Sequence, residues 1–311
     1  MLTRRDMLAL SGASLALAAC GQAGQGGSGM LRVGSQRGGT KAFVTAANAL
    51  DGAGYTVEWS EFPAAQPLLE AIGSGAVDVG LTGDAPFLFA YASGSPIKAV
   101  QAQMVLKRPT KVLGIVVPGA SPAQELADLK GKRIATTRGS IGHYLILSAL
   151  AAQKLPADFA KIIYLSPSDA KAALQTGAVD AWSVWIPYLT MAIADGYRVL
   201  VDGQTLVSGA AFDVASEKAI AGKREMLKDF LAREARALDW AAGHIDETAA
   251  ILSRDTGLPP AIAHELAVRN ARQSVPITPT LVAEQQAVLD IFRAAGEIKG
   301  SRSVQDAFVT V

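Results

Sequence analysis

The sequence predicts an α/β protein built as two lobes of like architecture with a cleft between them. Short β-rich runs alternate with helical stretches from residue 31 onward, the pattern of a mostly parallel sheet with helices on both faces. Half of the 311 residues are hydrophobic and 30 are glycine, which suits tightly packed α/β layers. The chain also echoes itself. Residues 69–78 (LEAIGSGAVD) are similar to residues 171–180 (KAALQTGAVD), each reading as a helix, a glycine-containing stop and a buried strand. Two related lobes explain the echo; chance similarity is the alternative.

In order, residues 31–34 read as a buried strand and 41–50 as a helix. Residues 55–62 (YTVEWSEF) alternate like a strand, 66–72 are helical and 77–81 form a strand. Residues 86–91 are helical, and 97–106 and 112–117 are strands. Ser121-Pro122-Ala123-Gln124 has the form of a capping box with proline at the first helical position, so a helix is expected there. A second series follows: strand 133–137, helix 141–153, strand 162–165, helix 169–175 and strand 181–184. After 199–201 the chain runs through 212–215 and turns helical to its end. Helical periodicity covers 223–242, 245–254, 260–267 and 280–295, and these helices are expected to pack back onto lobe one. The expected division is 30–116 with 207–311 for lobe one and 117–206 for lobe two.

The N-terminus predicts export. Arg4 and Arg5 form a charged region, and residues 7–19 (MLALSGASLALAA) are apolar but too short to span a bilayer. Leu17-Ala18-Ala19-Cys20 resembles a bacterial lipobox, so residues 1–19 are expected to be a signal peptide and Cys20 to carry lipid. Residues 3–8 (TRRDML) resemble a twin-arginine signal, with Met7 in place of the usual Phe. Residues 20–29 then read as a flexible glycine-rich tether. Cys20 is the single cysteine, so no internal disulfide is expected. The expected location is the periplasm or cell surface, held to a membrane by the lipid.

The full chain carries 29 basic and 28 acidic residues, and loss of Arg4, Arg5 and Asp6 with the signal leaves 27 of each. A charge near zero argues against a nucleic-acid or membrane-surface binder. The three histidines, His143, His244 and His264, have no metal-ligand spacing with one another or with cysteine. No G-x-S-x-G, H-E-x-x-H or Walker sequence occurs. Neither a metal, a cofactor nor an enzymatic activity is expected.

Several blocks resemble the substrate-binding proteins of ABC importers in the nitrate/sulfonate/taurine group, most of all the aliphatic-sulfonate binders. Residues 59–64 (WSEFPA) are similar to W-x-E-F-P-A. Residues 77–86 (VDVGLTGDAP) resemble D-x-G-x-T-G-E-A-P, with Asp84 for Glu. Residues 128–135 (DLKGKRIA), 138–145 (RGSIGHYL) and 180–188 (DAWSVWIPY) resemble D-L-K-G-K-x-V-A, K-G-S-x-x-H-Y-L and D-A-W-x-x-W-D-P-Y. The resemblance implies a type II periplasmic-binding-protein fold with a central ligand cleft and two crossover strands. It also implies capture of a small organic anion, an aliphatic sulfonate above all, and handover by a monomer to an ABC permease and its ATPase. Ile186 departs from the family Asp, and Ser35 replaces a usual aromatic. Nitrate, taurine or another small ligand is the alternative cargo; an enzyme on the same fold and a periplasmic sensor subunit are the other classes.

Ligands of open α/β sheets bind beyond the carboxyl ends of the strands, which names the candidates. Ser140 precedes a helix whose first N–H groups, at Ile141, Gly142 and His143, would favour an anion. Capping that helix is the plainer role for Ser140. Thr82, Gly83 and Asp84 make the matching turn in lobe one. Thr82 would donate a hydroxyl, and Asp84 would cap a helix or pair with Arg37. Gln36, Arg37 and Arg138 are the polar candidates, the arginines offering a planar fork or standing solvated at the surface. Phe62, Trp182, Trp185 and Tyr188 would form a wall for an alkyl tail or else pack in the core.

Overall fold

The computed structural model describes residues 29–107 and 110–311. The expected signal, the lipidated Cys20 and the tether up to residue 28 lie outside the described residues; Gly29 already belongs to the first strand.

The chain first lays down β1 (Gly29–Gln36), α1 (Thr40–Ala46), β2 (Tyr55–Phe62), α2 (Ala65–Gly73), β3 (Val79–Gly83), α3 (Asp84–Ala92) and β4 (Ile97–Val105). It crosses to build β5 (Leu113–Val117), β6 (Arg133–Thr136), α4 (Ile141–Ala152), β7 (Lys161–Tyr164), α5 (Pro167–Gln175), β8 (Ala181–Trp185), α6 (Tyr188–Ala194) and β9 (Arg198–Asp202). It then returns for β10 (Ala210–Ser216), α7 (Glu217–Gly222), α8 (Arg224–Gly243), α9 (Ile245–Thr256), α10 (Pro260–Arg269), β11 (Arg272–Val275) and α11 (Pro279–Ala294). Two sheets result, ordered β11-β4-β10-β3-β1-β2 and β7-β6-β8-β5-β9. The sheets are mixed and not mostly parallel as expected: β1 pairs in parallel with β2 and β3, and β6 with β7 and β8, while the other five pairings are antiparallel. Each crossing ends in an antiparallel strand, β5 in the second sheet and β10 in the first. Because β5 bonds to β8 and β9, the chain has entered the second sheet by Leu113, ahead of the expected division at 117.

The internal echo has a structural counterpart. Asp78 closes the α2–β3 unit, accepting the Arg32 backbone N–H at 2.7 Å and its guanidinium at 2.7 Å. Asp180 closes the α5–β8 unit in the same way, accepting the Arg133 N–H at 2.8 Å and its guanidinium at 3.0 Å. In each case the carboxylate pins the start of one parallel strand to the start of its neighbour. Burial works to raise the Asp78 carboxyl, but bonds from Arg32 and Lys223 outweigh it and hold it below the ordinary range.

Apolar side chains cover both faces of each sheet. Leu68, Ile72, Phe87, Leu88 and Phe212 form one face of the first sheet's core; Leu31, Val33, Leu227 and Phe230 form the other. Each such fully buried side chain stabilises the fold by about 1.5–3 kcal/mol relative to exposure. The second sheet is packed likewise by Ile115, Ile134, Leu145 and Leu150 on one side and Val116, Leu174, Trp182 and Leu189 on the other.

Two further expectations need correction. No helix starts at Ser121. The Arg198 guanidinium takes the carbonyls of Ser121 and Ala123, so they are not free for helical bonds. The box forms four residues later, between Glu125 and Asp128 around a 3₁₀ turn at Leu126–Leu129. Nor do the C-terminal helices pack on the first sheet alone. Ile186 and Met191 of the second lobe pack into the α9–α10 cluster, and Phe292 of α11 meets Tyr144 of α4.

Candidate functional site

A cleft of about 460 Å³ lies between the two sheets. The starts of α1, α2, α3 and α4 line it, Gly39 and Thr40 introducing the first of them. Ala65 and Gln66 open α2, Gly83 and Asp84 introduce α3, and Ser140 and Ile141 introduce α4. Each follows a β-strand of the parallel set, so the first-turn N–H groups lie at the carboxyl ends of the strands. The α2 terminus has no side-chain cap. At α4, the Ser140 hydroxyl accepts the His143 N–H at 3.1 Å. Ser140 therefore combines both roles open to it in the sequence: it caps α4 and lines the cleft. A helix N-terminus favours an anion by roughly 0.3–2 kcal/mol.

The polar side chains have distinct environments. Thr82 is 1% exposed, and its hydroxyl has no hydrogen-bond partner. Both amide atoms of Gln66 are likewise buried without a partner. Gln36 turns its amide to the Leu81 carbonyl at 3.0 Å. Arg37 is exposed at the cleft wall and forms no ion pair among the described residues. Burial raises the Asp84 carboxyl, and a hydrogen bond from Ser208 offsets part of that rise. Arg272 is the cation felt by Asp84, not Arg37 as the sequence suggested. Burial lowers the Arg272 guanidinium to about 10, so it remains charged at neutral pH.

The apolar wall comes from Trp185, Ile186, Tyr188 and Met191 of the second lobe, with Leu258 and Pro259 from the α9–α10 turn. Trp185 and Tyr188 meet edge to face at 6.2 Å. Tyr188 also donates to the Pro63 carbonyl at 3.2 Å, joining the two lobes across the cleft.

Gln36, Arg37, Thr82, Gly83, Asp84, Ser140 and Trp185 therefore line the cleft as anticipated. Five other candidates do not. Phe62 packs against the core of the first sheet. Trp182 is 2% exposed within the core of the second. Arg138 turns outward to Glu297 at 3.1 Å. Gly142 serves packing: a Cβ there would lie 2.7 Å from both the Ser183 carbonyl and the Thr136 hydroxyl. The His143 ring is buried behind α4, with Nδ1 accepting from the Gly139 N–H and Nε2 3.2 Å from the Tyr164 hydroxyl. Thr40, Gln66 and the stretch 256–272 also line the cleft, although no motif marked them in the sequence. That last stretch is remote in sequence from every other cleft residue and carries no local signal.

Comparison with known proteins places this architecture. Residues 52–248 match the NMT1/THI5-like family. The chain is 34% identical over 267 residues to an aliphatic-sulfonates-binding protein of Escherichia coli (strain K12), covering 84% of this chain and 83% of that one. It superposes with a TM-score of 0.83 on the alkanesulfonate-binding protein SsuA of Xanthomonas axonopodis pv. citri bound to MOPS. That pair is 32% identical and covers 91% of this chain and 98% of the other. The periplasmic aliphatic sulphonate binding protein SsuA of Escherichia coli matches with a TM-score of 0.79 and 30% identity, over 90% of this chain and 92% of its own.

Proposed function

The chain belongs to the NMT1/THI5-like family, and on that premise we propose that it captures a small alkanesulfonate outside the cytoplasm and delivers it to an ABC importer. The observation that carries this is the convergence of the starts of α1 to α4 and the unpartnered Thr82 hydroxyl on one cleft, opposite an apolar wall. The sulfonate sits against the first turns of α2 and α4, with Thr82 donating to one oxygen. Its alkyl part lies along Trp185, Ile186 and Met191. Ile186 extends that wall where the family pattern has a carboxylate. Arg37 draws the anion in from the open side.

The relatives that match over most of this chain are named as binding proteins, which supports a binding role. The His143 ring, the best base in the sequence, faces away from the cleft. We therefore read the protein as a binder and not an enzyme. The lobes are residues 29–112 with 207–311, and 113–206, and closure between them holds the ligand. The proposed partners are the permease and its ATPase, met by a monomer whose Cys20 lipid fixes it to a membrane.

Titration of the purified protein decides the cargo. Short alkanesulfonates should bind saturably, with a change in Trp185 fluorescence, and more tightly than carboxylates of equal length. A preference for nitrate or for the carboxylate would refute the sulfonate assignment. A micromolar dissociation constant corresponds to about −8 kcal/mol. A few charge-assisted hydrogen bonds of roughly 1.5–3 kcal/mol each and buried methylenes at about 0.8 kcal/mol supply it after association costs. The anchor is tested separately. Cys20→Ala should move the protein from the membrane pellet to the soluble fraction with its affinity unchanged; a variant that stays in the pellet excludes the lipid.

A further inference from the structure

We infer that Gln66 determines specificity, and that the preferred ligand is an alkanesulfonate carrying an uncharged hydrogen-bond donor, a hydroxyl, on its alkyl part. This rests on the sulfonate reading of the cleft. Gln66 stands in the first turn of α2 and lines the cleft, and both its Nε2 and Oε1 are buried without a partner. Because neither end is bonded, the conclusion is the same whichever way the amide is turned. An unpaired buried amide is costly, so a cavity that keeps one is shaped for a ligand that completes it. A sulfonate is an acceptor only. It can take a bond from Nε2 or from the Thr82 hydroxyl, but it offers nothing to the Gln66 carbonyl oxygen. The protein does not supply that donor either, since the Gln36 amide is committed to Leu81. The missing partner must come from the ligand. An ammonium would have to sit at the positive end of α2, in the cleft that holds Arg272. A hydroxyl meets the same oxygen without that repulsion. Gln285 shares the unpartnered state but does not line this cleft, so it addresses no ligand there.

The test is calorimetric titration with three matched pairs: ethane-, propane- and butanesulfonate against their terminal hydroxy derivatives, with the terminal amines as charged controls. At least one hydroxy compound should bind about tenfold tighter than its parent, as expected where a site's buried polar group is otherwise left unpaired. The near-isosteric Gln66→Met should bring that pair to within about threefold of each other, whatever its effect on the parent alkanesulfonate. A thermal unfolding midpoint close to that of the wild type shows that the variant is folded. If the parents bind but no hydroxy compound is favoured, the inference fails and the sulfonate reading stands. If the preference survives in Gln66→Met, Gln66 is not the residue that reads the hydroxyl. If the amines bind best, the donor is charged and the proposed class is wrong. If no sulfonate binds at all, both readings fall together.

Discussion

Asp84 is buried at the floor of a cleft proposed for an anion, 2% exposed and bonded to Ser208 and to the Ala85 N–H. Burial raises its carboxyl above the ordinary carboxylate range. A bound sulfonate favours the protonated form further, because like charges repel across a low-dielectric gap. By linkage, sulfonate binding should tighten as pH falls from 8 to 5. Asp84→Asn should abolish that dependence and tighten binding at pH 8 by about three- to tenfold. Calorimetry at the two pH values checks both; weaker binding at pH 5 in the wild type would exclude Asp84 from the ligand's field. Sequence motifs located Asp84, Thr82 and Ser140 because each ends a strand and precedes a helix, a local relation. They did not separate Trp182 from Trp185. Three residues apart on one strand, these two face opposite sides of the sheet, so only one could reach the cleft. The partners of Arg138 and His143 come from Glu297, more than 150 residues away, and no local pattern announces them.

At the scale of elements, α4 shows how a site depends on close packing behind it. Gly142 lets the first turn of α4 approach β6 and β8. An added Cβ would meet the Ser183 carbonyl and the Thr136 hydroxyl at 2.7 Å, and the carbonyl is backbone that cannot swing aside. Gly142→Ala should destabilise the protein by about 1–3 kcal/mol, the usual cost of overpacking. It should also weaken ligand binding, because the helix start is displaced from the cleft. Thermal unfolding and calorimetry on the same variant test this. Unchanged stability would mean that α4 has room to shift. Strand and helix positions were largely legible, since apolar periodicity fixes them locally. The short α6, α7 and β11 were not, although α1, β6 and β7 of similar length were; β11 (RQSV) carries no apolar run to mark it. The helix expected at Ser121 failed for a different reason. Its capping pattern is sound, but Arg198, on a strand far along the chain, claims the carbonyls.

For the whole molecule, buried titratable groups in the two lobes set opposing responses to acid. In the first lobe, Asp213 of β10 bonds to Gln103 at 2.9 Å beside Glu234 of α8, which accepts from Thr40 at 2.9 Å. Burial raises Asp213 to about 6, and burial with repulsion from Asp213 raises Glu234 well above its ordinary value. A group whose folded pKa is raised contributes stability that is present below the unfolded value, near 4, and lost as pH rises through the folded value. In the second lobe, burial lowers His143 to about 4. Its contribution is present above about 6.5 and lost as pH falls towards 4. Asp213 and His143 act between about pH 4 and 6.5, and Glu234 is raised in the same direction as Asp213, so two carboxyls oppose the single imidazole. The wild type should therefore be more stable at pH 5 than at pH 7. Asp213→Asn combined with Glu234→Gln keeps the hydrogen-bond geometry and removes the carboxyl contribution. The advantage of pH 5 over pH 7 should then shrink, the raised Asp84 and the lowered His143 being left to oppose each other. Urea unfolding at both pH values measures it. A variant that keeps the wild-type slope would show that the pair beneath the cleft is not the source of the pH response.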